Sequence, residues 1–272
     1  MSGMFRVALA VVMVAGWTFG AMEAAAENSR GWVEVKGGVE ATGSRDEMGS
    51  PRVYRGMGVP LVVAGALSRG PWQWGLEAGG FGTGFNGGPL QARGGGEDHG
   101  VAEQIFVDGS LWGTRRVWQG RRLGVDAGAR LSHWTFFRSY SYHSSQIGAV
   151  ETWESPTTID GLGRVRVSPI SRVHLQAELS VPLMGRVLRP NYAVRGDERM
   201  ALVERRTRVL SSGRWATWPT LQMVQARGAV HLETVGPLMV VAEWRVGGLA
   251  LNGEVPTRAT AQRLVVGVRL SL

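Results

Sequence analysis

Between Val173 and Met184 the chain alternates without a break, with Val173, Leu175, Ala177, Leu179, Val181 and Leu183 apolar and His174, Gln176, Glu178 and Ser180 between them. A period of two sends successive side chains to opposite faces of a β-strand, whereas an amphipathic helix would repeat every 3.6 residues. Twelve residues of it is about twice the usual length of a soluble strand, ~5–6 residues. It is close to the ~9–11 residues that a tilted strand needs to cross a bilayer.

The same pattern recurs. Val33, Val35, Val39 and Ala41 stand against Glu34, Lys36 and Glu40, and Trp72, Trp74, Leu76 and Ala78 against Gln73 and Glu77. Leu123, Val125, Ala127, Ala129 and Leu131 oppose Asp126, Arg130 and Ser132. The last segment sets Leu264, Val266, Val268, Leu270 and Leu272 against Arg263, Gly267, Arg269 and Ser271. Further strands are expected near 52–68, 103–113, 159–168, 221–233 and 238–251, ten in all. Short links carry turn signals at Arg69-Gly70-Pro71, Ser168-Pro169 and Gly236-Pro237, with 114–122 somewhat longer. Long polar links lie between them, at 43–51, 85–102, 133–158, 187–217 and 252–260. A soluble β-sandwich, which the 40 glycines and 11 tryptophans would also suit, has no reason to alternate short and long connections; a membrane barrel has. Trp32, Trp72, Trp74, Trp112, Trp118, Trp134, Phe136, Phe137, Trp215 and Trp218 fall near strand ends, where aromatic girdles are expected; Trp244 falls mid-strand.

Residues 1–26 read as an export signal: Arg6, then an apolar run from Val7 to Trp17, then small residues from Ala21 to Ala26, with cleavage expected after Ala26. The remainder, 27–272, is expected to be the barrel. No comparable apolar run follows, so helical spans are excluded there. Cysteine is absent, which removes disulfides, thiolate metal sites, thiol catalysis and a lipidated cysteine.

The amphipathic last strand, ending on an apolar residue, resembles the C-terminal signal of bacterial outer-membrane β-barrel proteins, with Leu272 in place of the aromatic that usually closes the family's chains. That resemblance implies an all-β, transmembrane, up-and-down antiparallel barrel in a Gram-negative outer membrane. Its partners would be outer-membrane lipid, lipopolysaccharide and, during biogenesis, the barrel-assembly machinery, with no nucleic acid and no cofactor.

If the apolar parity faces lipid, the other lines the lumen. It holds acids Glu34, Glu40, Glu77, Asp108, Asp126, Asp160, Glu178, Glu233 and Glu243, and bases Lys36, Arg130, Arg164, Arg166, Arg227, Arg245, Arg263 and Arg269. Their near balance predicts ion pairs that close a narrow lumen, since isolated charges there would be costly. Segment 187–217 is rich in arginine, and Arg189, Arg195, Arg205, Arg206 and Arg208 are candidates for contacting lipopolysaccharide phosphates.

Tyr142-His143-Ser144-Ser145-Gln146 looks like the His and Ser motifs of outer-membrane lipid A deacylases and phospholipases, which makes His143 and Ser145 the candidate catalytic pair; Gln146 replaces the usual asparagine. Omptin proteases are also ten-stranded and use an Asp–His pair, but Asp98 and His99 are adjacent rather than on one face. His133, His174 and His231 are too scattered for a metal site, and no phosphate loop or dinucleotide glycine pattern occurs. The leading expectation is a non-enzymatic, porin-like barrel with a closed lumen and functional surface loops. An acyl hydrolase is the alternative, and a narrow small-solute channel the lesser one.

Overall fold

The computed structural model describes residues 30–46, 50–87, 90–91, 97–98, 101–141, 150–188, 194–195, 214–218, 220–252 and 257–272. Among these there is no helix. The long strands are β1 (Arg30–Asp46), β2 (in two segments, Ser50–Gly58 and Leu61–Arg69), β3 (Trp72–Gly87), β4 (Val101–Gln119) and β5 (Leu123–Ser141). They continue as β6 (Val150–Ile170), β7 (Val173–Leu188), β8 (Leu221–Glu233), β9 (Leu238–Leu251) and β10 (Thr257–Ser271). Each strand pairs antiparallel with the next, and β10 pairs with β1 from Trp32↔Ser271 to Asp46↔Thr257, which closes a ten-stranded up-and-down barrel.

Two features of the sequence set the shape of individual strands. Val59 and Pro60 break β2, where proline has no N–H to give to the ladder. The register to β1 is the same on both sides of the break, with Glu40↔Gly58 and Gly37↔Leu61, so β2 remains one barrel strand. The turns after β2 and β8 use Gly70 and Gly236 at φ of 60° and 70°, a conformation that glycine adopts without steric cost.

The strands run further than the alternation alone marks. Segment 133–158, expected as a loop, is mostly ladder: β5 and β6 remain paired out to Tyr140↔Val150. Likewise 114–122 contracts to a tight turn at 120–122, with Gly120 N–H donating to Leu123 O at 2.8 Å. The loops 43–51, 85–102, 187–217 and 252–260 are also shortened by the strands that flank them. The alternation fades near these ends because polar residues there occupy both faces, while the backbone ladder continues.

The outer surface is apolar. Val35, Val39, Trp74, Leu111, Leu131, Ile159, Leu179, Leu183, Val230, Val240, Leu264, Val266 and Val268 are all exposed, and they lie on nine of the ten strands. A continuous belt of this kind suits hydrocarbon and not water. At its short-turn end stand exposed Trp72, Trp74 and Trp118, the first two stacked with centroids 6.1 Å apart; Trp215 and Trp218 are exposed at the loop end, and Trp244 is exposed mid-strand. Four aromatics expected in the girdle are instead turned into the lumen: Trp32, Trp112, Trp134 and Phe136. Trp112 can lie there because it faces Gly75 across the ladder, where any Cβ would sit 2.3 Å from its ring.

Tight coiling depends on glycine at a few close approaches. A Cβ on Gly128 would lie 2.0 Å from the Gly113 carbonyl oxygen of the neighbouring strand, whereas one on Gly163 meets nothing within 4 Å. Gly128→Ala is therefore expected to destabilise the barrel by about 1–3 kcal/mol and Gly163→Ala by less than about 0.5 kcal/mol. Thermal unfolding in detergent, followed by the heat-dependent gel mobility of the folded barrel, distinguishes the two.

Candidate functional site

The lumen is the site that the fold builds, because every second residue of ten strands points into it. Its middle is a layer of charge. Lys36 of β1 is fully buried, 2.6 Å from Glu34, 3.7 Å from Glu77 of β3 and in direct contact with Glu243 of β9. Arg227 of β8 reaches Glu77 at 3.2 Å and Glu243 at 2.5 Å. Arg245 bridges Glu77, Glu243 (3.1 Å) and Asp108 of β4 (3.3 Å). Arg263 of β10 joins Asp108 at 3.0 Å to Glu40 at 2.6 Å, and Arg269 binds Glu34 through Nε at 2.8 Å and Nη2 at 2.6 Å. One connected network thus ties six strands across the interior.

A second cluster serves the remaining wall. Glu178 of β7 takes Arg130 of β5 and Arg164 of β6, the latter through both Nε (3.0 Å) and Nη2 (2.9 Å), while Arg166 binds Asp126 at 2.8 Å. Arg164 also donates to Gln73 at 2.9 Å and lies over the Trp112 ring, 4.3 Å from its centroid, and Arg269 covers Trp32 at 3.9 Å. These stacked guanidinium groups fix the inward tryptophans in place.

On the loop side of the charge layer the lumen is filled by Phe81, Phe106, Phe136, Leu221, Met223, Leu249 and Leu251, with Phe106 and Phe136 centroids 4.8 Å apart and Trp134 edge-on to both. Beyond them Arg138 pairs with Glu154 at 3.1 Å and with Gln104 at 3.2 Å. The interior is therefore stratified, with a charged layer, an apolar plug and a further ion pair stacked towards the loops.

Of the seventeen charged residues expected to line the lumen, Glu34, Lys36, Glu40, Glu77, Asp108, Asp126, Arg130, Asp160, Arg164, Glu178, Glu243 and Arg263 are buried, and Arg166, Arg227, Arg245 and Arg269 are partly so. Glu233 differs: it is exposed at the turn-end rim and meets His174 at 2.8 Å. The Arg138–Glu154 pair was hidden from sequence reading by the assignment of 133–158 to a loop. Of the other candidates, His143, Ser145, His99, Arg189, Arg205, Arg206 and Arg208 lie outside the described residues. So do the side chains of Asp98 and Arg195, whose backbones pair with Leu90 and Val150.

A polar cluster also emerges on the outer wall, near the loop end. His133 Nδ1 is 2.8 Å from Thr157 Oγ1, and its Nε2 is 3.3 Å from Ser155 Oγ and 3.2 Å from Thr135 Oγ1. Sequence spacing left His133 isolated because its partners Ser155 and Thr157 come from the adjacent strand. No hydrogen bond among the described residues joins a carboxylate to His133, and no group of three potential metal ligands occurs among them.

A closed sheet, apolar outside between tryptophan girdles and ion-paired inside, defines a transmembrane β-barrel. The solved structures it is similar to are outer-membrane barrels. The outer membrane protease OmpT from Escherichia coli aligns at TM-score 0.49 and 9% identity over 90% of this chain and 97% of that one. Neisserial surface protein A aligns at 0.33 and 10% over 88% and 96%, and the attachment invasion locus protein Ail of Yersinia pestis at 0.34 and 8% over 88% and 99%. No protein-family model and no curated protein matches the sequence.

Truncating a hub of the network tests its structural weight. Lys36→Met removes the cation shared by three carboxylates, and breaking a buried pair costs about 3–5 kcal/mol. The variant is expected to unfold at a clearly lower temperature than the parent, measured by circular dichroism in detergent micelles.

Proposed function

We propose that the protein is a non-enzymatic outer-membrane barrel whose lumen is closed and whose outward loops serve the cell surface, exported by the signal at 1–26 and delivered by the barrel-assembly machinery. The observation that carries this reading is the stratified interior. An ion would have to cross a layer in which Lys36, Arg227 and Arg245 are held by Glu34, Glu77, Glu243 and Asp108, and then an aromatic plug. Opening either layer would strand buried charge or empty a packed core, and each costs several kcal/mol. The arginines of segment 187–217 would meet lipopolysaccharide phosphates.

Planar-bilayer recording of the purified protein tests the closed lumen. No steady conductance of porin size is expected from the parent. The double variant Phe106→Ala/Phe136→Ala, which thins the plug, is expected to leave the barrel closed, because the charged layer beneath it is intact. Sustained channels in the parent would overturn the reading and favour a narrow small-solute channel.

The His133 cluster favours a second reading, acyl hydrolysis at the lipid-facing wall. An imidazole beside a serine hydroxyl can act as a general base if a third group fixes its tautomer, and Thr157 is the group at Nδ1. A threonine hydroxyl stabilises an imidazolium less than a carboxylate does, so this reading stands second. Purified protein incubated with lipid A and phospholipid is expected to release no fatty acid. Release abolished by His133→Ala and Ser155→Ala, or by His143→Ala and Ser145→Ala, would replace the closed-scaffold reading with hydrolysis at the corresponding pair.

A further inference from the structure

The half of the lumen nearest the short turns is not filled. A cavity of about 450 Å³ lies there, within the ~300–1,000 Å³ range of small-molecule sites. It is placed at that end by Arg121 and Arg122 in the turn between β4 and β5, and by His174 and Met239 just after the turns that precede β7 and β9. The charge layer forms its floor, so it is a blind vestibule rather than one mouth of a pore.

Its lining is strongly one-sided. Seven guanidinium groups face it, and among the described lining residues the only carboxylate is Glu77. Four of the seven are engaged from behind: Arg164 by Glu178, Arg166 by Asp126, Arg227 by Glu77 and Glu243, and Arg269 by Glu34. Among the described residues Arg116 has only a 3.9 Å share of the same Asp126. Arg121 and Arg122 form no ion pair among the described residues.

Exposed arginines alone would be a solvated rim. The independent observation is His231 of β8, which lines the cavity, is 4% exposed, and has no hydrogen-bond partner among the described residues at either ring nitrogen. Arg227, on the same face of β8, also leaves its Nε without an acceptor among the described residues. Buried donors without acceptors are costly, and native structures supply a partner for nearly all of them. What this vestibule lacks is acceptors and negative charge, and its donors arrive from different walls: Arg121 and Arg122 from the turn, Arg116 from β4, and Arg227 and His231 from β8. A planar carboxylate is matched by a single guanidinium fork, whereas the tetrahedral oxygens of a phosphate accept from several directions at once.

We propose that the turn-end vestibule binds the phosphate group of a small, soluble phosphorylated compound, and that it holds this ligand without passing it on. The blind geometry rests on the closed-lumen reading; binding itself does not, and calorimetry measures it apart from conductance. The folded protein in detergent is titrated with inorganic phosphate, glucose 6-phosphate, citrate and dihexanoyl phosphatidic acid, the folded state of each variant being checked by gel mobility. Saturable one-to-one binding of glucose 6-phosphate is expected, tighter than that of citrate and of the lipid. It is expected to weaken at least tenfold in Arg121→Gln/Arg122→Gln and in His231→Leu, and to be unchanged in Arg55→Gln, an exposed arginine at the opposite end of the barrel. Absence of saturable phosphate binding, preference for citrate or for phosphatidic acid, indifference to the vestibule variants, or an equal loss in Arg55→Gln would each overturn the proposal.

Discussion

The backbone ladder between the last strand and the first is the interaction on which the rest depends. In hydrocarbon, an N–H or C=O without a partner costs several kcal/mol, and an open sheet edge is a row of them. The pairing of β10 with β1 over fifteen residues removes both edges at once. It also converts alternation along each strand into an inside and an outside. An isolated strand carrying Val35 beside Lys36 has no preferred face; in a closed cylinder, Val35 meets lipid and Lys36 must find a carboxylate.

Closure therefore makes the charged interior both necessary to organise and able to lock. Each ionised group brought into the lumen loses hydration, and the loss is offset only by short, well-directed contacts with the opposite charge. Arginine dominates because its planar fork can serve two acceptors and still stack on an aromatic ring, as Arg164 does with the Glu178 carboxylate, the Gln73 amide oxygen and the Trp112 ring. The one lysine, Lys36, sits where three carboxylates converge on a point, which suits a compact ammonium group better than a flat one. The resulting cross-braces make the middle of the barrel a structural element.

Much of this was legible from residue order. The ten-strand count, the antiparallel barrel and the inward parity of Glu34, Lys36, Glu178 and Arg263 follow from a period of two, which needs no knowledge of neighbours. The strand ends were less legible, since His133, Thr135, Ser155 and Thr157 are polar residues on the outward face, and their polarity near the membrane boundary reads as a loop. Trp112 and Phe136 were misplaced for a related reason. Nearness to a strand end suggests a girdle, but the face on which a residue lies is fixed by parity and by the room that a facing glycine leaves.

The sequence by itself determined that this chain forms long two-faced strands, that one face is apolar, and that the other carries nearly balanced charge, because those properties are local and periodic. Only the tertiary structure decided which charges meet. Lys36 and Glu243 are 207 residues apart, and their contact follows from register, curvature and closure summed around the whole cylinder. The same summation leaves the ring nitrogens of His231 without a hydrogen-bond partner among the described residues, beside the arginines of the turn-end cavity. Such a vacancy in hydrogen bonding has no signature along the chain, since it arises from what ten strands together fail to supply.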